Sequence, residues 1–219
     1  MAAGAYNPAF GGGDKVSAIK HVVFDIGQVL LYWNAELIYT DLIPDAVERK
    51  AFLATVCTSA WNLEQDRGRP WQVAEDSLIA DHPDQEDLIR AFRPNWHRSV
   101  PHAIDGMPEF LASVQCAGYD VTLLTNFNQD TYLEAEELYP FLTSTRGVTV
   151  SGRVGLLKPD QAIYDHHVAT FDIDPALTLF IDDSGANVAG AIAAGWNAVQ
   201  FHNADELRIS FSERGVKLA

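Results

Sequence analysis

The sequence predicts an α/β protein, a doubly wound, Rossmann-like parallel sheet with a helical unit inserted directly after its first strand. Two observations carry this reading. Short β-branched and aromatic runs alternate with helical patterns, as strands do in a parallel sheet covered on both faces. Between residues 34 and 100 the alternation stops, and helix-like stretches follow one another with no convincing strand. The expected division is a loose N-terminal tail over residues 1–18, an α/β core built from 19–33 and 101–219, and a helical unit over 34–100.

The first strand is the run His21 to Asp25, rich in valine and closed by an acidic residue ahead of Gly27. Tyr119 to Thr125 gives a second strand with Asn126 after it, Leu177 to Asp182 a third, and Asn197 to Phe201 a fourth. Gly147 to Val150 reads as a short edge strand. Met107, Phe110, Leu111 and Val114 recur at helical spacing, with Gly118 placed to stop the helix. Asn187 to Ala194 is small and apolar and ends at Gly195, as suits a helix lying close on a sheet. In the inserted unit, Ala46–Val56, Trp71–Asp81 and Gln85–Phe92 read as helices.

Composition narrows the class. A chain of 219 residues can bury one sizeable core, or a core plus a small inserted domain. The formal charge of −15 argues against nucleic acid and against anionic membrane surfaces, both of which call for a basic patch. No apolar run reaches the ~18 residues a membrane span requires. Met1 to Lys20 lacks the basic and apolar segments of a signal peptide, so a cytoplasmic protein is expected. Gly11–Gly13 are not followed by the Lys-Ser/Thr of a phosphate loop and read as linker. The two cysteines, Cys57 and Cys116, lie far apart and read as buried, reduced thiols. Nothing in the sequence sets the oligomeric state.

Four polar features fall at strand ends or in loops: Asp25, Thr125-Asn126, Lys158-Pro159 and Asp182-Asp183. In an open parallel sheet the carboxyl ends of the strands surround one crevice, so these residues are expected to converge. Three carboxylates and one ammonium carry a net −2 and would repel a phosphate dianion. Mg²⁺ resolves that conflict, because it takes oxygen ligands and bridges carboxylates to phosphate. Asp25 then suits the role of carboxylate nucleophile, with Lys158 and Thr125 typed to hold phosphoryl oxygens. His166 and His167 are neighbours on a helix and do not share a face, so no metal site is expected there. Trp61, Trp71 and Trp96 read as core more than as a substrate platform.

Taken together, Phe24–Leu30, Leu123–Asn126, Gly155–Asp160 and Phe180–Ser184 resemble the four ordered motifs of the haloacid dehalogenase-like hydrolase superfamily. The resemblance runs over nearly all of the chain after residue 20. It implies a subfamily I enzyme whose insertion is a helical cap, and a phosphatase acting on a small phosphorylated molecule. It also implies Asp25 as nucleophile, Thr125 as phosphate ligand and Lys158 as the group steadying both. Mg²⁺ would be held by Asp25, the Gly27 carbonyl, Asp182 and Asp183. Asn126 joins the expected substrate contacts. Asp66-Arg67-Gly68 reads as a loop of the cap, from which Arg67 can reach a substrate anion, although a solvated surface arginine is the plainer reading.

One position departs from the family pattern. Phosphatases of this superfamily carry a second aspartate two residues after the nucleophile, and here that residue is Gly27. The missing group is a general acid–base, a contribution of roughly 10²–10⁴ in rate. Substrates with good leaving groups, a cap residue such as Asp66 or Glu64 in its place, or a phospho-ligand binding module with little turnover would each accommodate the loss. The alternative chemistry is 2-haloacid dehalogenation, which needs no proton for its leaving group. The Asp182-Asp183 pair favours magnesium and phosphate over it.

Overall fold

Strands buried on both faces need apolar side chains at successive positions, and the central strands have them. The computed structural model describes residues 19–219, and the expected tail with Gly11–Gly13 lies outside the described residues. In chain order the elements are β1 (His21–Phe24), α1 (Ala46–Thr55), α2 (Ser59–Asp66), α3 (Trp71–Asp81), α4 (Glu86–Ala91) and α5 (Met107–Cys116). Then come β2 (Asp120–Thr125), α6 (Gln129–Leu138), β3 (Val148–Val150), α7 (Ser151–Val154), α8 (Gln161–Phe171), β4 (Thr178–Asp182), α9 (Gly185–Ala193), β5 (Asn197–Gln200) and α10 (Ala204–Glu213). The five strands form one parallel sheet in the order β3-β2-β1-β4-β5.

Side chains alternate between two cores, as the two-residue period of a strand requires. Val22, Phe24, Leu123 and Ile181 face one side, where α5 and α10 cover them. There Phe110 stands edge-on between Phe24 and Phe211, at 6.4 and 5.1 Å. Val23, Leu124 and Phe180 face the other side, under Tyr164 and Trp196. His167 also lies on that side, its two ring nitrogens bonded to Thr122 and Thr149 at 2.9 and 2.8 Å. Burial pushes its pKa down to about 3, so it stays neutral inside the sheet layer.

Register places the site. Phe24 pairs with Leu123 on one side and Ile181 on the other. Asp25, the next residue, therefore falls level with Asp182 and one residue short of Thr125. Both edges of this alignment are carboxyl ends, where open α/β sheets gather their ligands.

From Ala35 to Ser99 the elements are α1–α4 and short 3-10 turns. Asp45 and Thr58 start α1 and α2 by accepting backbone N–H groups of the first turn. Trp61, Trp71 and Phe92 pack together at 5.3–6.0 Å between ring centroids. Asp66 is the last residue of α2 rather than part of a loop; Arg67 caps the helix and Gly68, with φ of +107°, turns the chain away. Cys57 is buried, whereas Cys116 is exposed, which corrects the expectation for it. Cys116 lies nine residues after Met107, half a turn away from the apolar stripe of α5. Among the described residues no helix is long and apolar enough to cross a membrane.

Candidate active site

Asp25 sits immediately beyond β1 and is 7% exposed. Its Oδ1 accepts the Ile26 N–H at 2.7 Å and a Lys158 Nζ proton at 2.9 Å. Lys158 reaches the same end of the sheet from the loop before α8. Its Nζ also donates to Asp182 Oδ2 at 2.6 Å and to the Leu124 carbonyl at 3.1 Å. Three N–H groups thus have three acceptors, and the ammonium is closed off from solvent. The Asn126 amide fixes this loop, taking the Lys158 N–H at 2.8 Å and donating to the Lys158 carbonyl at 3.0 Å. Asp182 is fully buried and accepts from the Ser184 N–H and from Asn187 Nδ2. Ser184 also caps α9, which keeps Asn187 over Asp182.

Charge dominates this cluster. Asp25, Asp182 and Asp183 each offer a carboxylate oxygen, all within 4.8 Å of one another. Burial pushes the Asp25 pKa up, against the opposing pull of Lys158 and with the help of Asp182. Asp183, partly exposed, is raised by burial and then by Asp182. For Lys158, burial works against the ammonium, but Asp25 and Asp182 outweigh it and raise its pKa. One cation is thus shared between two buried carboxylates while a third stands beside them. The site is short of positive charge, and its donors are all hard oxygens.

The residues expected from the sequence divide into two groups. Asp25, Lys158, Asp182 and Asp183 come together, and Thr125, 1% exposed, ends β2 beside them. Asn126 is present too, and both ends of its amide are committed to the Lys158 backbone. Lys158 likewise has no proton free of a protein acceptor. Arg67 is not brought in: it is exposed, lies 3.7 Å from Glu64, and takes no part in the cavity described next.

A cavity of about 190 Å³ adjoins the cluster where Gly27 and Asn126 form its wall. Trp33, Trp96 and Phe127 supply aromatic surface, and Asn62 and Asp66 polar groups. The sequence model of haloacid dehalogenase-like hydrolases matches residues 19–195. The chain belongs to that family. Among its relatives, the sesquiterpene phosphatase astK of Aspergillus oryzae is 25% identical over 87% of this chain and 93% of its own length. Flavin mononucleotide hydrolase 1 of Arabidopsis thaliana is 28% identical over 68% of this chain and 63% of that protein. A solved family member from Bacteroides thetaiotaomicron superposes with a TM-score of 0.71 at 19% identity, covering 89% and 98% of the two chains. That protein has also been crystallised with magnesium and inorganic phosphate.

Two residues of this hydrolase escaped the sequence reading. Asn128, 5% exposed, caps α6 with its Oδ1 while the same atom accepts the Trp71 indole N–H and its Nδ2 donates to the Gln65 carbonyl. Ser151 accepts the Phe127 N–H and donates to the Asp66 carbonyl at 2.5 Å. Both tie the end of α2 to the loop after β2. Asn128 was legible as a helix cap immediately before a helical run; its partners, more than fifty residues away in sequence, were not.

Proposed function

We propose that this hydrolase is a magnesium-dependent phosphatase for a small phosphate monoester, with Asp25 as its nucleophile and residues 34–100 as a helical cap over the site. The observation that carries this is the set of three carboxylates around one buried ammonium. The donor set fits Mg²⁺: oxygen ligands only, closely spaced, with negative charge in excess. Asp25, Asp182, Asp183 and the Gly27 carbonyl would hold it. When bound, the ion would offset the charge of cluster and phosphate and polarise the phosphoryl oxygens.

The protein's own groups set the rest. Asp25 Oδ1 is held by Lys158 and Ile26, which fixes the carboxylate plane. Oδ2 has no hydrogen-bond donor among the described residues and is the oxygen available for attack on phosphorus. Thr125, at the end of β2, supplies a hydroxyl for a phosphoryl oxygen. Lys158 favours the ionised form of Asp25 and opposes the burial that favours its protonation. Attack forms an aspartyl-phosphate as the bond from phosphorus to the ester oxygen breaks and the alcohol leaves; water then displaces Asp25 from phosphorus and releases inorganic phosphate.

The two relatives are named for hydrolysis of a sesquiterpene phosphate class and of flavin mononucleotide, which supports a phosphorylated small molecule here. The cavity is small beside the roughly 300–1,000 Å³ of drug-sized ligand sites. Its aromatic walls suit a compact leaving group with a flat or apolar face. The test is phosphate release from a panel of monoesters with and without Mg²⁺, using Asp25→Asn as the control. Mg²⁺-stimulated release that the variant loses while its circular dichroism is unchanged supports the reading. Equal release with and without Mg²⁺, or halide release from 2-haloacids in the presence of chelator, refutes it.

A further inference from the structure

The family position that carries a general acid is Gly27, and the structure shows no backbone reason for glycine there. Its φ is outside the positive region, and a Cβ would meet nothing within 4 Å. Gly27 shares the wall of its cavity with side chains that could carry the proton instead. Of the residues that wall the cavity, Asp66 is the one with an acidic side chain. Glu64, the other acidic candidate, is exposed and paired with Arg67.

We propose that Asp66 is the proton donor to the leaving oxygen, and then the base that activates water, in place of the carboxyl that Gly27 lacks. This rests on the phosphatase reading above.

Placement carries the proposal. Asp66 closes α2, and the chain on both sides of it is pinned to the core. Its carbonyl takes the Ser151 hydroxyl proton, and the Gln65 carbonyl takes Asn128 Nδ2 at 3.0 Å. Gly68 then passes close to α7: a Cβ there would lie 3.0 Å from the Gly152 carbonyl oxygen. Three contacts thus seat this corner of the helical segment beside the loop that follows Thr125. The carboxyl itself is oriented, with Oδ2 accepting from Asn62 Nδ2 at 3.1 Å. Burial pushes its pKa up to about 8, partly opposed by the backbone N–H of Asn128, so it holds a proton at neutral pH. An acid must arrive protonated, and a neutral carboxyl adds no charge to a site already overloaded with carboxylates.

The steps balance. Asp25 Oδ2 forms a bond to phosphorus as the bond from phosphorus to the ester oxygen breaks, and that oxygen takes the Asp66 proton to leave as alcohol. Asp66, now a carboxylate, accepts a proton from water as the water oxygen bonds to phosphorus. The bond between Asp25 and phosphorus breaks, inorganic phosphate departs, and Asp66 is again protonated.

The test compares wild type, Asp66→Asn, and Asp66→Asn combined with Gly27→Asp on p-nitrophenyl phosphate and on a primary alkyl phosphate, in Mg²⁺. Nitrophenolate leaves without help, whereas an alkoxide needs its proton. Asp66→Asn should lower kcat/KM, which reads formation of the aspartyl-phosphate, by about 10²–10³-fold on the alkyl ester and by less than about tenfold on the nitrophenyl ester, while kcat falls on both through the lost base. Adding Gly27→Asp should restore at least about tenfold on the alkyl ester alone. Equal losses in kcat/KM on both esters would mean a structural role, and no loss of kcat/KM on the alkyl ester would mean another donor; either overturns the proposal. Failure of the underlying reading looks different: wild type would then release no phosphate from either ester in an Asp25-dependent way.

Discussion

Replacing Lys158 by Met removes the one cation of the buried cluster and keeps a side chain of similar length. In the folded protein Lys158 joins Asp25 and Asp182 at 2.9 and 2.6 Å, with all three side chains screened from water. Taking one partner out of such an arrangement costs about 3–5 kcal/mol, because the remaining charges stay buried and unpaired. About 1 kcal/mol shifts Tm by roughly 2–4 °C in a chain of this size, so Tm near pH 7 should fall by about 6–20 °C. The melts are run with chelator, so that no other cation takes the place of the ammonium.

The loss should also depend on pH. Asp25 is already raised above its unfolded value by burial, and the variant removes the main influence opposing that rise. A carboxyl with a raised folded-state pKa contributes stability below its unfolded pKa, about 4, and loses that contribution as pH rises. Lys158 stays protonated throughout this range in the wild type. The Tm gap between the proteins should therefore widen from pH 4 to pH 7. A gap below ~2 °C at pH 7, or one that is constant with pH, would show that the cation is not balancing these carboxylates.

Two further changes probe the acidic cluster and the seam where the end of α2 meets α7 and the loop after β2. Asp183→Asn removes one of the three clustered oxygen ligands while leaving the Lys158 pairings intact, so half-maximal activation should require at least about tenfold more Mg²⁺; an unchanged Mg²⁺ titration would remove Asp183 from the ligand set. Gly68→Ala meets both a φ of +107° and the Gly152 carbonyl oxygen at 3.0 Å. It should cost about 1–3 kcal/mol in urea unfolding and reduce activity on alkyl esters; wild-type stability would mean that the seam yields freely.

Much of this site was legible because its determinants are local. β-branched runs that end in Asp25, Thr125 and Asp182 identify strands and their carboxyl ends, and parallel pairing brings such ends together whatever lies between them. The two-face alternation of Val22, Val23 and Phe24 follows from the strand period. What sequence could not supply was the identity of tertiary partners. Asn128 and Ser151 meet Gln65 and Asp66 across 63 and 85 residues, and no pattern near either residue announces it. Arg67 was left between two readings for a related reason. One residue after Asp66 on a helix end, it points a third of a turn away, and only knowing where α2 stops settles which of the two faces the cavity. The exposed Cys116 was within reach, since helical spacing from Met107 already put it opposite the apolar stripe.

Glycine at position 27 also follows a charge argument that the geometry makes concrete. A carboxyl there would be a fourth acidic group beside Asp25, Asp182 and Asp183, facing a phosphate and drawing on the same single ammonium. Like charges raise one another's pKa values, so such a group, whenever ionised, disfavours the ionised form of its neighbours. Asp25 must be ionised to attack. Moving the acid to the end of α2 separates the two demands. Burial keeps the proton on Asp66, while Lys158, 2.9 Å away, pulls Asp25 toward its charged form against the burial that raises its pKa. The division has a mechanical consequence as well. An acid on the first core loop is present whether or not the helical segment is seated. One held by the Ser151 and Asn128 bonds is in place only when that seam is made, so proton donation and exclusion of water depend on the same contacts.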